Sequence, residues 1–298
     1  MVLRLFCDQF FVNVNKCIIR GAMTQSLNKS VDDTFQYAAP LLVTDLAACS
    51  FYHRMEIPGM GEVGAQWDLR DCIHEYLGRY DFANKRVLDV GAASGFLTFS
   101  MEKMGANVVS FDMESGDQWD IVPQKSVRQA PEKTLDALRQ SHHRLKNAYW
   151  FTHASLGSRA KAYYGDIYNL PSELGHFDVA VFGMIISHLR DPFKAIYSAS
   201  QLCRKHLIIT NQVVSQSRRL IDFFLARKYN PNTAYFLPTA ENGETMAWWS
   251  FSEGCLENML AVIGFRVVRK VISNPKCLVS GRLGREKCIA LVAERFED

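Results

Sequence analysis

No run of about 18 apolar residues occurs in the 298-residue chain, so the sequence offers no candidate membrane-spanning helix. There is no CxxC pair and no Cys/His cluster. The eight cysteines stand apart at positions 7, 17, 49, 72, 203, 255, 277 and 288. Cysteines dispersed through a long chain read as reduced core residues, neither metal ligands nor a disulfide framework, and no metal is expected. Charge of one sign is also lacking. Lys and Arg number 34 against 31 Asp and Glu, a net +3 with no long basic tract. That balance neither demands nor excludes nucleic acid. Internal repeats and low-complexity segments are absent too, which excludes solenoids and biased disordered tracts. The opening "MVLRLFCDQFFVNVNKCIIRGAM" lacks the unbroken apolar centre of a secretory signal, being interrupted by Asp8, Asn13, Asn15 and Lys16. It reads as a loosely attached leader, or as an upstream start before Met23, with the cytoplasm as the default compartment.

What is present is enough apolar material, 48% of residues, to bury a full α/β core. Helical pieces are expected around "DDTFQYAAPLLVTDLAA" and "WDLRDCIHEYLGRY", with a loop over "RMEIPGMGEVGAQ" between them. After Lys85 the chain alternates. "RVLDVG" is a buried parallel strand, "FLTFSMEKMG" a helix stopped by Gly105, and "NVVSFD" the next strand. "KAYYGDIYNL", "FDVAVFGMI" and "KHLIITNQV" read as three more strands, with Asp191 capping the helix "DPFKAIYSASQLCR" before the last. "SEGCLENMLAVIGF" is a helix closed by Gly264, and "RVVRKVIS" and "KCIALVAER" form a terminal hairpin pair. The alternation predicts a doubly wound α/β sheet. Two long connections, 113–158 and 214–250, read as insertions that act as lids or substrate walls beside the crevice at the strand ends.

The stretch "RVLDVGAASGFLTFSMEKMGANVVSFD" puts a glycine turn between two strands that each end near an aspartate, Asp89 and Asp112. It keeps only Gly91 and Gly95, so it departs from the G-x-G-x-x-G phosphate cradle. "LDVGAASG" instead resembles the first motif of class I S-adenosylmethionine-dependent methyltransferases, and "YGDIYNLP" and "FDVAVFGMIISHLRDPFKAI" resemble later elements of the same class. The resemblance covers roughly residues 65–298. It implies a Rossmann-like seven-stranded sheet with an antiparallel last strand, and residues 1–64 before it read as an N-terminal extension and helical cap. It also implies S-adenosylmethionine as cofactor. Asp89 would orient the turn and the cofactor's amino group, and Gly91, Ala93 and Gly95 would let the backbone approach. Asp112 would accept the ribose hydroxyls, Asp166 would reach the adenine amino group, Ile167 would pack on its ring, and Met184 would complete the cofactor site.

"IPGMGEVGAQWDLRD", "MIISHLRDP" and "WWSFSEGCLENMLAVIGF" resemble more loosely the subgroup related to bacterial tRNA wobble-uridine methyl- and carboxymethyl-transferases. His188, just beyond the fourth strand, is the candidate general base, because a neutral imidazole can take a proton as the methyl transfers. The competing reading is that His188 only orders its loop. Trp67, His53 and Trp249 are candidate substrate walls, with Trp119, Trp150, Tyr235 and Trp248 weaker candidates of the same kind. His142 and His143, beside Arg139, Arg144 and Lys146, read as a solvated helix face. Arg218, Arg219, Arg227 and Lys228 read as the polar side of an amphipathic lid helix, or as phosphate contacts. Three functions are open: a methyltransferase of small organic molecules, a tRNA base-modifying methyltransferase, and a binding protein that keeps the cofactor fold without turnover.

Overall fold

The computed structural model describes residues 35–212, 232–239, 246–279 and 282–296, and in it the chain enters along a sheet edge. Ala38 N–H donates to the Ala162 carbonyl at 2.8 Å, and Phe35 packs its ring 5.1 Å from Tyr163. The helix expected around 32–48 does not form in the described part. Pro40 cannot donate an amide N–H, and only a single 3₁₀ turn, Leu46–Ala48 capped by Asp45, follows it. The loop expected over "RMEIPGMGEVGAQ" is a hairpin. Strands β1 (Met55–Ile57) and β2 (Gly61–Val63) pair antiparallel, and Pro58 and Gly59 make the turn. Met55 and Ile57 alternate inward around exposed Glu56, the period of a half-buried strand. Strand β3 (Trp67–Asp68) and the short helix α1 (Ile73–Tyr76) complete this cap.

The alternating region then follows its expected order. It runs β4 (Arg86–Val90), α2 (Phe96–Lys103), β5 (Asn107–Asp112), α3 (Lys125–Gln129), α4 (Pro131–Leu156), β6 (Lys161–Tyr164) and β7 (Phe177–Gly183). Next come α5 (Pro192–Leu202), β8 (Cys203–Gln212), β9 (Ala234–Phe236), β10 (Trp249–Phe251) and α6 (Glu253–Val262). The end is all strand: β11 (Phe265–Ser273), β12 (Lys276–Val279), β13 (Arg282–Arg285) and β14 (Cys288–Arg295). The main sheet has seven strands in the order β11-β14-β8-β7-β4-β5-β6. From β8 to β6 the pairs are parallel, and β14 runs antiparallel to both its neighbours. This is the doubly wound sheet with its last strand reversed.

Parallel strands need both faces covered, and β7 shows how. Val179 and Val181 point into one apolar cluster, while Ala180 and Phe182 point into another. The first cluster gathers α2 and the cap, through Phe96, Met101, Met55, Ile57 and Tyr76; the second gathers α5 and α6, through Ile196, Leu256 and Leu260. The cap is therefore continuous with the core. Of the 113–158 connection, the 26-residue α4 is the crossover helix from β5 to β6 and not a free wall. It buries Tyr149 and Trp150 against Phe99 and Ala162. The terminal hairpin pair is interrupted, because β12 and β13 leave the main sheet and form a second one with β3.

Strand order reverses between β4 and β7: β5 and β6 follow on one side of β4, and β7 and β8 on the other. A crevice opens at the carboxyl ends of strands flanking such a switch point. That locates the site.

Candidate functional site

Beyond β4 the chain turns sharply, with positive φ at Gly91 (82°), Ala93 (49°) and Gly95 (88°). Gly91 and Ala92 donate their N–H groups to the Phe111 carbonyl at 2.8 and 3.1 Å, which fastens the turn to β5. A Cβ on Gly95 would lie 2.4 Å from the Phe99 ring, and one on Gly91 would lie 3.1 Å from Ile185. No side chain caps α2 at Gly95, so its first N–H groups have no capping side chain to satisfy them.

Two carboxylates hold this turn from below and beside. Asp89 is fully buried, and Thr98 of α2 donates its hydroxyl to Oδ2 at 2.5 Å. Oδ1 has no partner among the described residues. Burial, with the nearby Asp112 charge, pushes the Asp89 carboxyl up to about 7. Asp112 is partly buried at the end of β5. Its Oδ2 accepts the Ala93 N–H at 2.7 Å and its Oδ1 the Met113 N–H at 2.8 Å. Burial raises its pKa, and those two backbone bonds oppose the rise. Each oxygen keeps a further lone pair for an incoming donor.

One cleft contains Gly91, Asp112, Asp166, Ile167 and His188, together with Trp119, Asp120, Tyr168 and Ile185. Asp166 is exposed and accepts the Tyr168 N–H at 2.9 Å, which turns the loop beyond β6 toward the cleft. His188 sits in the 3₁₀ turn Ile186–His188 after β7, its Nδ1 2.6 Å from the Met246 carbonyl. A carbonyl only accepts, so Nδ1 carries the proton and the neutral ring keeps its lone pair on Nε2. A separate cavity lies at the amino ends of β4 to β6, lined by Arg86, Glu102, Arg159 and Lys161, away from the switch-point crevice.

The other candidates fall around this cleft. Ala93 and Gly95 form the turn itself. Met184, at φ 65°, donates its N–H to Thr210 at 2.9 Å and packs in the α2 cluster with Trp67. His53 is buried, 5.5 Å from the Phe96 ring, and its Nδ1 lacks a partner among the described residues. Burial lowers its pKa to about 3, so it is neutral. Its neighbour Tyr52 donates its backbone N–H to the Ser94 hydroxyl oxygen at 3.2 Å, which brings the cap onto the glycine turn. Trp249 packs in the opposite cluster, against Phe236, and donates its indole N–H to the Arg190 carbonyl at 3.1 Å. The two tryptophans thus belong to clusters on opposite faces of the sheet.

The expected solvated face at His142 and His143 is half right. His143 is exposed, but His142 is buried with Nε2 3.0 Å from the Met113 carbonyl, and Lys146 donates to the Glu114 carbonyl at 2.9 Å. Both side chains brace the loop that carries Asp112. The lid residues Arg218, Arg219, Arg227 and Lys228 lie outside the described residues, as do residues 1–34. Sequence reasoning missed Asp120, Tyr168 and Arg190, which bond one another beside His188. Their only signal was the place of Asp120 in a long connection after a strand that ends at the crevice.

Among the described residues, no cluster of three or more His, Cys, Asp or Glu side chains could hold a metal ion, and no helix is long and apolar enough to cross a membrane. The six described cysteines are free. No curated protein matches the chain. Among solved structures, a protein from Methanosarcina mazei described as a SAM-dependent methyltransferase is 16% identical, with a TM-score of 0.46 over 78% of this chain and 100% of that one. A putative RNA methyltransferase from Pyrococcus horikoshii is 14% identical, with a TM-score of 0.44 over 76% and 85%. Magnesium protoporphyrin IX methyltransferase from Synechocystis PCC 6803 is 15% identical, with a TM-score of 0.43 over 76% and 82%. The methyltransferase domain family model matches residues 65–270. The chain therefore belongs to that family, and with it to the class I S-adenosylmethionine-dependent methyltransferases whose first motif its glycine turn resembles.

Proposed function

We propose that the protein transfers the methyl group of S-adenosylmethionine to a nucleophilic atom of a small organic molecule, with His188 as general base. The observation that carries this reading is one cleft. It brings Gly91 of the glycine turn, Asp112, Asp166 and His188 together, with Trp119 and Tyr168 in the same lining. A cleft lined by Phe111, Trp119 and Tyr168 suits a small acceptor better than an open polynucleotide groove.

S-adenosylmethionine, when bound, supplies an electrophilic methyl on a sulfonium. Asp112 would accept its ribose hydroxyls through the lone pairs not taken by Ala93 and Met113, and Asp166 would accept from its adenine amino group. Asp89 would face its ammonium with the unpartnered Oδ1, and that positive charge would favour the ionised form that burial disfavours. The cradle fits this cofactor. His188 would take the acceptor's proton on Nε2, the nitrogen left free by the bond to Met246. Alignment in the cleft supplies the rest, because an in-line displacement gains much of its rate from orientation.

The test is to incubate the enzyme and methyl-labelled S-adenosylmethionine with cell extract, then separate small molecules from RNA. Label in the small-molecule fraction is expected. Label only in ribonuclease-sensitive material would replace this reading with tRNA modification, and salt-sensitive tRNA retention would accompany it.

A further inference from the structure

We propose that Asp120 is a positioning residue for His188, fixing both the backbone that carries the imidazole and the carbonyl that holds its Nδ1 proton. For its catalytic meaning the proposal rests on His188 acting as base; for its structural meaning it does not.

The backbone side comes first. The Asp120 side chain is only 11% exposed. Its Oδ2 accepts the Arg190 N–H at 2.9 Å, and its Oδ1 accepts the Arg190 guanidinium at 3.0 Å. Tyr168 donates its hydroxyl to the same carboxylate, and the Tyr168 oxygen accepts the N–H groups of Arg190 and Asp191 at 3.0 and 3.2 Å. The chain just after His188 is therefore pinned by two anchored acceptors. A neutral surface turn needs nothing like this.

The carbonyl side is independent of the carboxylate. The Asp120 main-chain carbonyl accepts the Trp248 indole N–H at 2.8 Å. Trp248 in turn donates its backbone N–H to the Ser187 carbonyl at 2.8 Å, next to His188. Met246, whose carbonyl receives the imidazole proton, is two residues before Trp248. One residue thus ties the β5–α3 connection, the β7–α5 loop and the segment before β10 around a single ring. Each tie crosses between chain segments far apart in sequence, so none follows from local geometry. Together they leave the imidazole one rotamer and one tautomer, with Nε2 unprotonated in the neutral form.

The experiment measures the ring directly. Histidine is labelled with ¹⁵N in the full chain, and the His188 signal is assigned by its loss in His188→Gln. The wild type should show the Nδ1–H tautomer alone. In Asp120→Ala and in Trp248→Phe, which cuts the indole bond while keeping an aromatic ring, the neutral ring should become a mixture of tautomers. In Asp120→Asn, which keeps one acceptor for the Arg190 N–H, the mixing should be smaller. Thermal melts confirm that each variant is folded. In turnover, Asp120→Ala should lower kcat on the order of 10²-fold, the cost of misplacing a reacting group by about 1 Å, with a KM change of less than ~3-fold. A single unchanged His188 tautomer in folded Asp120→Ala and Trp248→Phe overturns the proposal. Mixed tautomers with undiminished kcat would uphold Asp120 as the residue that orients His188, and would sink His188 as the base.

Discussion

Asp112 does two things at one carboxylate, closing the glycine turn through Ala93 and starting the next loop through Met113, and in the proposed site its outer lone pairs would take the ribose. Asp112→Ala should weaken S-adenosylmethionine binding by about 2–4 kcal/mol, the loss of two charge-assisted hydrogen bonds less what water recovers. Calorimetric titration checks it, and unchanged affinity in the folded variant would remove Asp112 from the ribose role. Asp89 makes a different prediction. Its folded pKa of about 7 lies above the ordinary value of about 3.9 for an unfolded aspartate, so the native state holds a proton that the unfolded chain releases. Stability from this group is complete below about pH 4 and is lost as pH rises to about 7, on the order of 4 kcal/mol over three units. Asp112, also raised by burial, acts in the same direction. Asp89→Asn should therefore flatten part of the fall in melting temperature between pH 5 and pH 8. A slope identical to wild type would mean that Asp89 is ionised in the fold. For His188, substitution by Gln keeps a hydrogen-bonding side chain but removes the proton acceptor. Turnover should drop by ~10²–10⁴ with cofactor affinity little changed, and near-normal turnover would leave alignment as the source of rate.

At the scale of elements, the turn between β4 and α2 was legible because its chemistry is local. Two glycines between an apolar run and a helical pattern have few other uses. Gly95→Ala tests how tightly that element is built. The left-handed backbone alone costs about 1–2 kcal/mol for a residue with a Cβ, and the added atom must displace the Phe99 ring 2.4 Å away. The melting temperature should fall by several degrees, and cofactor affinity with it. An unaltered melt would show that α2 shifts freely. The strands were equally legible, since buried parallel strands announce themselves as continuous apolar runs. The cap was not. Its β1–β2 turn carries the same Pro-Gly signal as an irregular loop, and of the apolar residues from 35 to 48 only Phe35, Tyr37, Ala38 and Val43 pack against the core clusters, while Leu41, Leu42 and Leu46 stay exposed. Nor was the Asp120 network legible, because residues 120, 168, 190 and 248 meet only through tertiary structure; Trp248 alone reads as a pocket wall, and the other three read as ordinary surface residues.

Across the whole molecule, the seven-stranded order places the crevice, and the small sheet β13-β12-β3 binds the cap to the end of the chain. Cys277 pairs with Trp67, Leu278 donates its N–H to the Gln66 carbonyl at 3.0 Å, and Lys276 and Arg285 reach Asp71 at 3.1 and 2.9 Å. Replacing residues 276–286 by a short turn should speed hydrogen exchange in residues 61–72 while β4, β7 and β8 stay protected. Equal protection in the cap would show that its apolar contacts to α2 suffice. The same clasp orders events as the chain is made. Strands β4 to β8 can pair once about 212 residues have left the ribosome, whereas the cap that touches Ser94 through Tyr52 must wait for the hairpin near residue 280. The growing chain thus has the five parallel strands β4 to β8 before the cap is clasped, and the antiparallel β14 joins them only after the hairpin that secures the cap has been made.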